Sequence, residues 1–163
     1  MRKLLVLAVV LLVSACGIKP TPVVSAGPAP TLRSPASDGQ STGVILYFLV
    51  DGRLTPVVRP ANRTVTVEET LTMLLDGPTV DEHAEGYRTM LPVRTGPVTV
   101  TVSPGRPPTI SLPFPLRPIT GVALNQLACT ASAALAVQGG SGVDGTVSFA
   151  GPDVLLPYQP CQA

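Results

Sequence analysis

Val44-Ile45-Leu46-Tyr47-Phe48-Leu49-Val50-Asp51-Gly52 is the stretch that decides the fold. Seven apolar residues, mostly β-branched, aliphatic or aromatic, run without a polar break. Such a run suits a strand buried on both faces and central in its sheet. Asp51-Gly52 is the short-range signal for a two-residue hairpin turn. Leu54 to Arg59 then returns as a second strand. Pro56 has no N–H to give a ladder, which places this strand at an edge.

Downstream, Thr66-Val67-Glu68-Glu69 fits a capping box, with Thr66 at the N-cap and Glu69 at N3. Val67, Leu71, Leu74 and Leu75 recur at helical spacing. Gly77 closes this helix and Pro78 forbids its continuation. Thr79 with Glu82 caps a second, short helix to about Glu85, ended by Gly86. Met90 and Leu91 read as a brief strand before Pro92. Val98, Val100 and Val102 alternate with Thr99, Thr101 and Ser103, the pattern of a half-buried strand. Thr109 to Leu112 returns to complete a hairpin. Thr120 to Ala136 is the longest helix, with Leu124, Leu127, Ala128, Ala131 and Leu135 on one face. Val147 and Phe149 alternate in a further strand, and Val154 to Leu156 either extends a strand or packs as a tail. These elements predict an α+β fold: a single mixed or antiparallel sheet with two main helices packed on one face.

Upstream, the chain opens with Met1-Arg2-Lys3 and an apolar run from Leu4 to Val13. Ten residues cannot span a bilayer, which needs about 20, but they suit a secretory signal. Val13-Ser14-Ala15-Cys16 resembles the lipobox of bacterial lipoproteins, with cleavage before Cys16 and a lipid on its sulfur. Residues 1–15 are therefore expected to be a signal peptide, and residues 16–43 the lipidated cysteine and a disordered tether. The tether carries Pro20, Pro22, Pro28, Pro30 and Pro35 and no apolar periodicity. It would reach roughly 80 Å if Pro-stiffened and about 30 Å as a coil. Residues 44–163 form the folded domain with its tail.

Without residues 1–15, 148 of the 163 residues remain, with nine basic against ten acidic side chains. No basic excess is available to hold phosphate backbones, which argues against nucleic acid as a partner. Trp is absent and aromatics are 4% of the chain, so no aromatic platform for sugars or bases stands out. With Cys16 lipidated, Cys129 and Cys161 remain as an even pair in an oxidising compartment, which favours a disulfide.

Several segments resemble a GerMN domain. Tyr47 to Gly52 with Leu54-Thr55-Pro56-Val57 is similar to its opening. Glu69 to Thr79 is similar to its signature helix, ending in Leu-Leu-x-Gly-Pro-Thr. Arg88-Thr89-Met90-Leu91-Pro92 matches the following R-T-x-L-P segment, Val98 to Leu112 the next hairpin, and Leu124-Asn125-Gln126-Leu127 the start of its second helix. The resemblance covers about residues 44–150. It implies a non-catalytic α/β module of the ring-building type, used for protein–protein assembly. Such modules occur in sporulation and germination lipoproteins, and in actinobacterial lipoproteins paired with sensor kinases. The Arg-over-Lys, Ala/Val/Pro-rich usage suits a GC-rich genome of that kind. The Cys129–Cys161 pair and the tail after residue 150 depart from the family pattern.

No catalytic or cofactor motif emerges. His83, beside Asp81, Glu82 and Glu85, lacks H-E-x-x-H order and a second imidazole; a solvated helix face accounts for it. Gly139-Gly140-Ser141-Gly142 lacks the second Gly of a nucleophile elbow, since position 143 is Val. It also lacks the Lys of a phosphate loop. A hydrolase would have to pair Ser141 with His83. The expectation is an extracytoplasmic, lipid-anchored protein at the cell membrane, without enzyme activity or cofactor. Its partner would be an envelope protein, either a sensor kinase or an assembly component. The alternative is a module binding a small ligand or wall glycan beside Tyr47, Tyr87 or Tyr158. If Cys16 is the anchor, Cys16→Ser leaves the chain unlipidated and moves it out of the membrane fraction; full membrane retention of that variant on fractionation would remove the anchor.

Overall fold

The computed structural model describes residues 43–139 and 145–162. The expected signal peptide and tether, together with Cys16 and Ser141, lie outside the described residues. The described chain is α+β, with three helices and six strands.

Strands β1 (Val44–Val50) and β2 (Arg53–Arg59) form the expected hairpin, with Val50 opposite Arg53. Asp51 (φ 50°) and Gly52 (φ 76°) both take the left-handed conformation that a tight primed turn requires. Val44, Leu46 and Phe48 point into the core. Ile45 and Tyr47, on the other face, are half-buried. Pro56 stands opposite Tyr47. The Tyr47 N–H points away from β2, to Thr130, so this is a non-hydrogen-bonded pair. The Pro56 nitrogen therefore faces outward, and the ladder loses nothing to proline.

Helix α1 (Val67–Leu75) starts on Thr66 with both capping-box bonds present and buries Val67, Leu71, Leu74 and Leu75. Gly77 (φ 87°) turns the chain out of the helix. Helix α2 (Val80–Ala84) starts at once on Thr79 with a second capping box through Glu82. Strands β3 (Thr99–Thr101) and β4 (Thr109–Ser111) make the expected hairpin. Helix α3 (Gly121–Val137) then carries the chain over to β5 (Thr146–Ala150), which lies parallel to β4. A crossover of this length is what parallel neighbours need.

The single sheet expected from the sequence is not what forms. The described strands make two sheets: β1-β2 alone, and a mixed sheet in the order β3-β4-β5-β6. The far edge of β1 carries no strand. It is met by one bridge, in which Leu49 and Arg88 exchange two backbone bonds of 2.8 Å, and by Thr130 Oγ1, 3.0 Å from the Tyr47 nitrogen. The brief strand expected at Met90–Leu91 is absent for a related reason. Pro92 and Pro97 lack the N–H a ladder needs, and the peptide ends of Met90 and Leu91 bond to side chains instead.

The tail resolves as a strand. β6 (Leu155–Pro160) pairs antiparallel with β5, with a bulge between Val147 and Phe149. The extra residue falls on β6, where Tyr158 takes φ 53°. Cys129 and Cys161 form the expected disulfide, with Cα atoms 4.4 Å apart. Beside it, Asn125 mimics a strand partner: its Nδ2 donates to Gln162 O (2.6 Å), and its Oδ1 accepts from Gln162 N (2.8 Å).

α1 and α3 pack against β1 and each other, and α3 also reaches β5 and β6. α3 is buried at every position from Gln126 to Ala131. Its small residues let neighbours approach on several sides. No helix among the described residues is long and apolar enough to cross a membrane. The disulfide closes a separation of 32 residues, which the chain-entropy argument values at roughly 3–4 kcal/mol. Replacing both cysteines, Cys129→Ala with Cys161→Ala, should lower unfolding stability in urea by about that amount.

Candidate functional site

Three features could serve function: the polar network that ties the motif segments together, an ion pair at the junction of β2, α1 and α2, and a depression at the tip of the first hairpin.

The network centres on α3. Gln126 is fully buried. Its Nε2 donates to Thr89 Oγ1 (3.2 Å), and its Oε1 accepts from Met90 N (3.3 Å). Thr130, also fully buried, accepts from Tyr47 N. A buried amide or hydroxyl without partners costs roughly 1–3 kcal/mol. Among the described residues, no buried side-chain nitrogen or oxygen lacks a partner.

The ion pair is built on Arg59, which faces inward from β2 in register with Val44. Its Nε and Nη2 donate to the two Glu82 carboxylate oxygens at 2.9 and 2.7 Å. Nη2 also donates to Gly77 O at 2.9 Å. The guanidinium carbon sits 5.5 Å from the Phe48 ring centre. One side chain thus joins β2 to the end of α1 and the start of α2, over an aromatic face. Glu82 also accepts from Thr79 N as part of its capping box. The Arg59 bond first, with the Thr79 amide, holds the Glu82 carboxyl below its ordinary 4.5 against the opposing effect of burial. A second, exposed pair joins Arg63 to Glu69 through two bonds of 2.9 and 2.6 Å. The Arg63 bonds, helped by Thr66 N–H, bring Glu69 down to about 2.

The depression has a volume of about 590 Å³ and is lined by Val50, Asp51, Arg53, Thr55, Glu85 and Tyr87. It contains one of the three tyrosines named above. Tyr47 lies along β1, and Tyr158 stands 65% exposed on β6 in the other sheet. The structure therefore does not gather the three into one cleft. The cluster around His83 is also dispersed: His83 and Asp81 are exposed, while Glu82 is taken by Arg59. Among the described residues, no group of three His, Cys, Asp or Glu side chains is arranged to hold a metal ion. Cys129 and Cys161 are brought together.

The sequence reading missed the second task of Glu82 and the whole role of Arg59. Strand parity contained the signal, because Arg59 falls on the same face as Val57, which packs on the core. Gln126 and Thr130 both fall on the buried arc of α3, a signal carried by their helical spacing from Leu127 and Ala131.

No family model, no characterised relative and no solved structure matches the chain at a significant level.

A carboxyl whose folded-state value lies below its unfolded one contributes stability that is complete at neutral pH. That contribution is lost as pH falls below about 4.5 toward the folded-state value. Glu82→Gln should cost about 1.5–3 kcal/mol at pH 7. The gap from the unaltered chain should narrow as pH drops through the acid limb, as read from urea unfolding between neutral and acid pH. A constant gap at all pH values would show that the Glu82 charge is not what matters.

Proposed function

We propose that this chain is an extracytoplasmic lipoprotein, anchored through Cys16, whose domain is a non-catalytic GerMN-type module for protein–protein assembly in cell-envelope, sporulation or germination processes. The observation that carries this reading is what the motif residues do. Segments that resemble the family, far apart in sequence, are bonded to one another: Leu49 to Arg88, and Thr89 and Met90 to Gln126. Gly77, in the Leu-Leu-Asp-Gly-Pro-Thr segment, is bonded through its carbonyl to Arg59. Polar residues spent on each other inside the fold maintain a shape. A module whose signature is structural works through its surfaces. The lipobox and Pro-rich tether supply an anchor and a spacer for such a module.

A binding role for a small ligand or wall glycan is the second reading. The hairpin-tip depression supports it, because it sets Tyr87 among Asp51, Arg53 and Glu85. Its volume lies in the range of ligand sites, about 300–1,000 Å³.

The two readings separate by experiment. Crosslinking in native membranes followed by mass spectrometry should recover a reproducible envelope protein, such as a sensor kinase or assembly component, with the chain. Recovery of no protein partner, together with a melting temperature that rises with muropeptides and not with Tyr87→Ala, would replace the assembly module with the ligand site.

A further inference from the structure

The two sheets have four outer strand edges: β1, β2, β3 and β6. On β1, Leu49 is bridged to Arg88 and the Tyr47 amide is bonded to Thr130. An open edge presents unpaired N–H and C=O groups, and proteins blunt such edges with proline, bulges or charge. β2 is blunted by the outward nitrogen of Pro56. β6 is blunted by Pro157, Pro160 and the bulge at Tyr158. β3 has none of these devices. Its strand is Thr-Val-Thr, without proline or charge. Among the described residues, the hydrogen bonds of residues 99–101 are those of the β4 ladder.

The sequence around this edge is a palindrome: Val98-Thr99-Val100-Thr101-Val102. Set antiparallel to a second copy about Val100, each Thr99 meets a Thr101, each Val98 meets a Val102, and Val100 meets itself. Thr–Thr and β-branched pairs across strands are favourable, by roughly 0.2–1 kcal/mol each. Val98, Val100 and Val102 share the core-side face. Val98 is 6% exposed but Val102 is 71% exposed. The pairing would bring the buried end of one strand beside the uncovered end of the other.

We propose that β3 is a self-pairing edge, and that two copies of this chain join antiparallel across a two-fold axis at Val100 to make one continuous eight-stranded sheet. The partner that the assembly reading requires is then, in the first instance, a second copy. An isologous contact of this kind closes on itself and gives dimers, not fibres. Five paired residues make a short contact, well below a standard interface. Confinement by the lipid tether raises the effective concentration that such a contact needs. The strength of pairing therefore rests on the anchor reading, whereas its register does not.

The register is testable at the exposed Thr99 and Thr101 and at the half-buried Val100. Residues directly opposite in an antiparallel pair have Cα atoms about 4.5–5.5 Å apart, within disulfide reach. Thr99→Cys and Thr101→Cys should each give little covalent dimer when expressed alone as the full chain. Co-expressed, they should give at least several-fold more, and Val100→Cys should crosslink to its own copy. No dimer from the mixture, in chains that keep the Cys129–Cys161 bond and an unchanged melting temperature, would overturn the pairing. Equal dimer from either threonine variant alone would overturn the register and the proposal with it. Read in both fractions, a register-specific dimer that is soluble upholds the pairing and counts against the anchor.

Discussion

Everything in this fold depends on the six residues of α3 from Asn125 to Thr130. Asn125 holds Gln162 through both ends of its amide. Gln126 holds Thr89 and Met90, Cys129 is bonded to Cys161, and Thr130 closes the edge of β1. Successive helix residues point about 100° apart, so a run of six can address segments on every side. This works where the helix is surrounded, and burial from Gln126 to Ala131 shows that it is. Leu127 and Ala128 fill the core between the polar ties. A helix in this position must be rich in small residues, because bulky ones on all faces would push its neighbours beyond bonding distance. That requirement explains the Ala, Ser and Thr content of α3 better than helix propensity does, since Ser and Thr are indifferent helix formers.

The second half of the architecture hangs on the Leu75-to-Val80 connection. Asp76 and Gly77 end one helix, and Thr79 begins the next. Two capping boxes in 17 residues satisfy amides at both helix starts. The carbonyl left over at Gly77 is taken by Arg59. Isolated surface ion pairs contribute little, but Arg59 and Glu82 have side chains only 21% and 12% exposed. Removing one partner would leave the other half-buried and unpaired, and that asymmetry makes the pair a constraint on geometry. Asp153 does similar work elsewhere, accepting from the backbone of Leu116 and Arg117 at 2.7 and 3.0 Å. Gly151 is small there of necessity: a Cβ would stand 2.8 Å from the Leu116 side chain and 3.0 Å from Phe114 O.

Local signals were legible in the sequence, and long-range ones were not. The β1–β2 turn, both capping boxes, the Gly77 stop and the β3–β4 hairpin follow from residues a few positions apart, and each forms as read. The disulfide was legible through the cysteine count, because reading Cys16 as lipidated leaves Cys129 and Cys161 as an even pair. The division into two sheets was not legible, since it depends on which group, strand or side chain, reaches the second edge of β1. Thr130 is 83 residues from the Tyr47 it meets, and no local pattern announces such a pairing. The hairpin-tip depression escaped for the same reason: Asp51 and Glu85 become neighbours only after α2 has folded back toward the hairpin.

The two-sheet division also determines which surfaces remain open. In a single sheet, another strand would occupy the far edge of β1. Here a threonine hydroxyl meets the Tyr47 amide, one bridge pairs Leu49 with Arg88, and α3 packs against β1. The long apolar strand β1 is thereby removed from contact with other chains, although its sequence is the most strand-prone in the domain. What is left at the margins is short: β2 and β6 with their prolines, and three residues of β3. Covering the strongest edge with a helix and leaving the weakest edge bare separates folding from association. The first depends on α3, whereas the proposed second is confined to the three residues of β3.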